Sequence, residues 1–385
     1  MSTGKKIGWE GVRKFLGSLF GEDVHAMRVL SMANATLGVL SSASLAVHAI
    51  GQGLAHARGL MTKHAVKQVD RLLSNRGIDV WGYFAYWVPY VIGARPEIRV
   101  ALDWTEFDRD DHATLALNMI TRHGRATPLV WKSVKKSTLK GQRNRYEDEL
   151  LVRFKEVLPE GVKVTLLADR GFGDQKLFRF LRGTLGFDFI IRIRGNITVT
   201  SVDGESRPAE EWIGQGGRAR LLRNALVTLD GYRAPTVVCV HAKGMKEPWC
   251  LVSSLSEIKA REVIDGYAKR WTIEPGFRDS KNARFGMGMS QARIRSTERR
   301  DRLFLISAFA IALLTLLGSA GESLGFDRFL KSNTAKKRTH SLFRQGCMLY
   351  ELIPNMPAAR LRALMERFAE MLNEQRVFTG ILGIL

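Results

Sequence analysis

The chain has 385 residues, 45% hydrophobic and 25% charged, which excludes a wholly disordered protein and leaves room for two or three domains. Fifty-nine Lys and Arg against 38 Asp and Glu give a net charge of +21, an excess that costs self-repulsion and serves no small metabolite. A polyanion, nucleic acid first, is the partner this balance fits. The three cysteines, Cys239, Cys250 and Cys347, form neither a CxxC pair nor a disulfide framework, which points to a reducing, cytoplasmic compartment. The start, MSTGKKIGWEGVRKF, is basic but has no apolar stretch, so it does not read as a secretory signal.

Residues 1–95 read as helical, with apolar positions at 3–4 spacing in MTKHAVKQVDRLL. Cations are scattered through the region, among them Arg13, Arg58, Lys63, Lys67, Arg71 and Arg95. A small DNA-binding region and a solvated helical surface are equal readings of that pattern. From Glu97 the pattern turns to strands. EIRVALDWT alternates, with Ile98, Val100 and Leu102 on one face and Arg99, Ala101 and Asp103 on the other. ATLALNMIT and PLVWKSV then read as a hairpin, RYEDELLVRFKEVL as an amphipathic helix and VKVTLLADR as a buried strand. DQKLFRFLRGTLG is the next helix and DFIIRIR the next strand. Three strands, helix, strand, helix, strand is the order of a ribonuclease-H-like α/β core, a mixed sheet flanked by helices, expected over 96–194.

Residues 195–250 read as a β-rich insertion, with Asp203-Gly204 and Asp230-Gly231 as hairpin signals. The second part of the core is expected over 251–325, and a helical C-terminal region, a candidate dimer contact, over 326–385. Leu303–Gly321 carries no charge and falls just short of the ~20 residues a membrane span needs. Its Ser307, Thr315, Gly318 and Ser319 favour a buried core helix over a span.

HExxH, Walker A and GxSxG motifs are absent, so acidic residues at element ends carry the chemistry. Asp103 is expected to close the first strand and Asp169 to close VKVTLLAD. Side by side on neighbouring strands, the two carboxylates repel until a proton or divalent ion intervenes. A plain turn-starting role fits each of them singly. Glu106, Asp108, Asp110 and Asp111 fall after the expected strand end and read as turn residues. Tyr267, Arg270, Glu274 and Lys281 share one arc of a helix, although Pro275 must kink or restart it.

The spaced set Tyr267-x2-Arg270-x3-Glu274-x6-Lys281 resembles the signature of the IS4-type DDE transposases. ALDWTEF around Asp103 and LLADRGFGD around Asp169 resemble that family's other two blocks, in the same order. The resemblance runs from about residue 97 to about 320. It implies Mg²⁺-dependent cleavage at the ends of an insertion sequence and transfer of the 3′-OH into target DNA. Asp103, Asp169 and Glu274 would hold two Mg²⁺ (or Mn²⁺) ions, as hard carboxylates suit. Arg270, Lys281 and Tyr267 would contact phosphates, while Trp249 and Trp271 would border or stack on an extruded base. Double-stranded DNA and a second copy of the chain in a synaptic homodimer are the implied partners, with no membrane and a nucleoid location when DNA-bound. A metal nuclease without strand transfer and a non-catalytic DNA-binding protein stay open. Basic runs at 132–145, 281–302 and 331–338 fit a phosphate-tracking groove around the acids.

Overall fold

The structure, a computed structural model, describes residues 8–373 apart from Glu22, Arg122, Leu229 and Asp230. The N-terminal region folds as α1 (Trp9–Phe20), α2 (Ala26–Ser42), α3 (Val47–Arg58), α4 (Thr62–Ser74) and α5 (Val80–Ile92). The sequence VWGYFAYWVPYVI leaves α5 almost no polar face, so it is fixed by buried polar contacts. Trp87 Nε1 donates to the Pro128 carbonyl at 2.8 Å, and Arg95 folds back to donate to the carbonyls of Val91 (3.0 Å) and Ile92. Arg95, counted above among surface cations, is therefore a buried helix cap.

β1 (Glu97–Phe107), β2 (His112–Ile120) and β3 (Ala126–Lys135) form an antiparallel meander. α6 (Arg143–Val157), β4 (Lys163–Ala168), α7 (Gln175–Arg179) and β5 (Asp188–Ile193) follow, with β4 parallel to β1 and β5 parallel to β4. This is the element order expected from the sequence. β6 (Thr198–Thr200) and β7 (Ser206–Pro208) pair around Asp203-Gly204, where Gly204 sits at φ 88° as a tight hairpin requires. β8 (Arg220–Val227) and β9 (Tyr232–Val240) pair antiparallel; the other hairpin signal, Asp230, lies outside the described residues.

β10 (Trp249–Ser253) then pairs with both β9 and β5. Among the described residues the strands form one ten-stranded mixed sheet, β3-β2-β1-β4-β5-β10-β9-β8-β6-β7. The region read as an insertion thus extends the central sheet rather than standing apart from it.

The chain continues as α8 (Ala260–Ala268), α9 (Ile273–Lys281), α10 (Thr297–Ser323), α11 (Leu342–Leu352) and α12 (Ala358–Asn373). The two faces of the sheet are covered differently. α6 and α7 lie on the face of Trp104 and Phe189, where Trp104 Nε1 donates to Glu147 and Phe189 stacks on Phe178. The opposite face, with Ala101, Leu167, Ile190 and Leu251, packs on Val263, Tyr267 and Ile273 of α8 and α9. Alternation along β1 therefore turns Asp103, like Ala101, toward α8 and α9.

The apolar run is the central helix α10, about 40 Å long. Its most apolar 18-residue window is 89% buried inside the protein. Gly318 lets α11 approach: a Cβ there would stand 1.9 Å from the Leu342 carbonyl oxygen. One hydrophobic cluster joins α1–α5, α10–α12 and the α6 side of the sheet, so the N-terminal helices share the sheet's core.

Candidate active site

Leu102 and Ala168 are the last register pair of the parallel β1–β4 ladder. β4 ends there, and Asp169 turns its carboxylate onto the Gly171 N–H at 2.7 Å, capping a short 3-10 turn over Arg170–Phe172. β1 does not end. It continues to Phe107, so Asp103 is an interior strand residue rather than the strand-closing one expected. Pairing with β2 as far as Phe107↔His112 holds β1 extended beyond the end of its parallel neighbour. Glu106, read as a turn residue, consequently belongs to β1, while Asp108, Asp110 and Asp111 do lie in the turn.

Asp103 is largely buried, and its Oδ1 accepts its neighbour Trp104 N–H at 2.9 Å. Burial pushes its carboxyl up to about 6; Arg270 opposes that rise, and the charges of Asp169 and Glu274 add to it. Asp103 thus feels the charge of two acids far from it in sequence. Among the described residues, no three His, Cys, Asp or Glu side chains are grouped closely enough to hold a metal ion as they now stand.

Between α8 and α9 the backbone tightens into a 3-10 turn, Lys269–Thr272. Tyr267, Arg270, Glu274 and Lys281 thus belong to two helices and a turn, not to the single helical arc expected. Pro275 explains the restart. It falls in the first turn of α9, where a missing N–H breaks no intrahelical bond. Glu274, one residue earlier, keeps its carboxylate about half exposed at that helix start.

Arg270 is buried, 6% exposed, beneath this junction. Its Nη1 donates to Asp103 Oδ2 at 3.4 Å and its Nη2 lies 3.6 Å from Glu274 Oε1, so one guanidinium spans two of the acids. Lys281, at the far end of α9, donates to Thr105 Oγ1 (2.9 Å) and to the Glu106 carbonyl (2.7 Å), tying α9 to β1. Burial lowers its pKa from the usual lysine range. Tyr267 is buried and meets Trp249 edge to face at 5.0 Å, and burial raises its hydroxyl's pKa. Trp271 differs: it is 47% exposed, with the Arg270 guanidinium 5.1 Å from its ring.

The basic runs divide on inspection. Arg300 is fully buried against Asp110 and His112, Arg302 donates to the carbonyls of Ile78 and Leu73, and Arg299 pairs with Asp70. These cations join α10 to its neighbours and do not line a groove. Arg284, Arg293, Arg295, Lys140, Arg143, Arg145, Lys336, Lys337 and Arg338 stay on the surface. Beside the end of β1, Lys136 pairs with Glu106 and Asp108, both at 2.6 Å, and Arg143 lies 3.5 Å from Glu106.

One element of the site went unread in the sequence. Arg125, in the β2–β3 connection, donates to Asp279 of α9 at 2.5 Å, and Gly276 packs close to the Ala126 carbonyl. The only available signal was an Asp five residues after Glu274, and the distance along the chain to Arg125 conceals the pairing.

A divalent cation suits the donor set. Asp103, Asp169 and Glu274 would supply hard carboxylate oxygens to it once brought together, and no sulfur ligand competes among the described residues. No curated protein matches the chain. The model of the transposase DDE domain matches residues 131–313, an interval that contains Asp169 and Glu274 and begins after Asp103, and the match supports a DDE transposase.

Proposed function

We propose that the protein is an IS4-type transposase that cleaves DNA at the ends of its element and joins the freed 3′-OH to target DNA. The observation that carries this reading is the β1–β4 register, which sets Asp103 beside the residue that follows β4, Asp169, together with the Arg270 guanidinium that touches both Asp103 and Glu274, within or beside a matched transposase domain. The strand order β3-β2-β1-β4-β5, with acids following the β1–β4 pair, supports a ribonuclease-H-like core.

In this reading Asp103, Asp169 and Glu274 hold Mg²⁺ or Mn²⁺, two ions in the working complex. Bound there, such ions activate the attacking oxygen and stabilise the leaving one. The chain's own residues supply position. Arg270, buried here against Asp103, would present a planar fork to a phosphate on moving off the acids, while Lys281, bonded to Thr105 and Glu106, and buried Tyr267 would hold α9 and Trp249 in position. Trp271, exposed beside Arg270, offers a stacking face, and Trp249 would stack on an extruded base from its place against Tyr267. The exposed cations of 140–145, 284–295 and 336–338 extend the contact along the backbone, as do Lys63, Lys67 and Arg71 on one stripe of α4. A homodimer would bring two such sites to paired ends.

The test is incubation with a paired-end duplex, with and without Mg²⁺, comparing wild type with Asp169→Asn. Joined strand-transfer products that need both Mg²⁺ and Asp169 are expected. Hydrolysis without joining would make the protein a nuclease, and cleavage unaffected by Asp169→Asn would remove the acids from the chemistry.

A further inference from the structure

Arg270 occupies a position that neither a phosphate contact nor a simple helix-surface pair requires. Its guanidinium is buried, it touches Asp103 Oδ2 and Glu274 Oε1, and it lies over the rings of Tyr267 and Trp271. Those two oxygens belong to the residues assigned above to cation binding. A guanidinium and a divalent ion are therefore rivals for the same acceptors. The present contacts, 3.4 and 3.6 Å, are longer than a tight charge-assisted bond, and the buried Nε has no hydrogen-bond partner. With only these long contacts to the acids and a bond to the Tyr267 side chain, the planar fork gains by moving onto a phosphate, which can take two parallel N–H bonds.

We propose that Arg270 is the internal counter-ion of the acidic site: it neutralises Asp103 and Glu274 in the free protein and leaves them when duplex DNA offers it a phosphate. The inference rests on the reading of the acids as the cation site. It adds an order to that reading, because DNA docking vacates the oxygens a divalent ion needs. By linkage, DNA must tighten the cation and the cation must tighten DNA by the same factor.

The experiment measures Mn²⁺ binding to the intact chain from the electron paramagnetic resonance of the free ion, without and with a short mixed-sequence duplex. Binding to duplex alone is subtracted. For the wild type, the duplex is expected to tighten Mn²⁺ on the order of tenfold. Arg270→Gln is expected to bind Mn²⁺ without DNA as tightly as the wild type does with it, and to gain nothing from the duplex. Equal wild-type affinity with and without duplex overturns the proposal, as does weaker Mn²⁺ binding by folded Arg270→Gln. Should that variant fail to fold, the wild-type linkage decides alone. Asp169→Asn separates the two levels. If it binds Mn²⁺ like the wild type, the acids are not the cation site and the counter-ion role falls with that reading. If Mn²⁺ binding needs Asp169 yet ignores both duplex and Arg270→Gln, the counter-ion role alone is overturned.

Discussion

Leu102 faces Ala168 across the parallel β1–β4 pair, so Asp103, which continues in β1, and Asp169, which follows the end of β4, come next on neighbouring strands. Strands in such a pair lie about 4.8 Å apart, which sets the two backbones close together. α9, whose Ile273 packs on the face of Ala101 and Leu167, carries Glu274 to within 3.6 Å of the Arg270 guanidinium that also bonds Asp103. A backbone register, rather than any local motif, sets the two aspartates on neighbouring strands.

Removal of one acid should cost cleavage without costing DNA binding. The contacts assigned to DNA are spread over many exposed cations, whereas the carboxylates have no substitute. Glu274→Gln and Asp103→Asn are each expected to lower cleavage by on the order of 10²-fold or more, beyond the 10–100-fold typical when only a supporting group is lost. A gel-shift titration should show the duplex affinity unchanged or slightly higher, since a negative charge has gone. Parallel loss of binding and cleavage would contradict this division of labour.

The two tryptophans of the site should separate. Trp271 is 47% exposed, so Trp271→Ala is expected to leave the melting temperature unchanged and to weaken DNA binding by the ~1–3 kcal/mol of one stacked base. Trp249 rests its ring edge to face on buried Tyr267, so Trp249→Ala should lower the melting temperature as well. First-strand nicking should survive in folded Trp249→Ala, and any later step that needs the extruded base stacked on it should slow. Gel analysis of single-turnover products checks both.

The Arg125–Asp279 pair is expected to hold α9, and Glu274 with it, against the β2–β3 connection. Asp279 is mostly buried, and burial raises its carboxyl's pKa while Arg125 opposes the rise. Arg125→Met leaves that carboxylate without its partner and should destabilise the protein by about 3–5 kcal/mol, the cost of an uncompensated buried charge. The double variant Arg125→Met/Asp279→Leu should regain most of that stability. Denaturant melts of the single and double variants provide the cycle.

Much of the fold was legible because it is local. Period-2 alternation in EIRVALDWT fixed the two faces of β1, and the Gly204 turn and the 3–4 spacing of α4 carried their own signals. What was not legible depends on partners. The end of β1 is set by β2 and not by its own residues, which is why Asp103 and Glu106 were placed at and beyond a strand end that lies further on. The burial of Arg95, Arg300 and Arg302 is likewise invisible in a charge count, because a cation that caps a helix and one that meets solvent have the same letter. Tyr267, Arg270, Glu274 and Lys281 could be grouped by spacing, but the 3-10 turn that divides them follows from packing on the sheet as well as from Pro275.

Asp301 should give the protein a stability that falls as pH rises. It lies partly buried in the second turn of α10, with Oδ1 accepting the Ser133 N–H at 2.9 Å. Burial pushes its carboxyl up to about 7, against the pull of the Ser133 hydrogen bonds. Unfolded, the same group ionises near 3.9. Between those values the folded state retains a proton that the unfolded state has released, so each step up in pH favours unfolding until the folded-state value is passed. Asp301→Asn keeps the acceptor for Ser133 and removes the charge. The variant and wild type should therefore be about equally stable near pH 4, and the variant more stable by a few kcal/mol above about pH 7. Denaturant melts across that range read the difference directly. A wild-type advantage at high pH would mean that Asp301 is ionised in the folded protein and held by a stronger partner than Ser133.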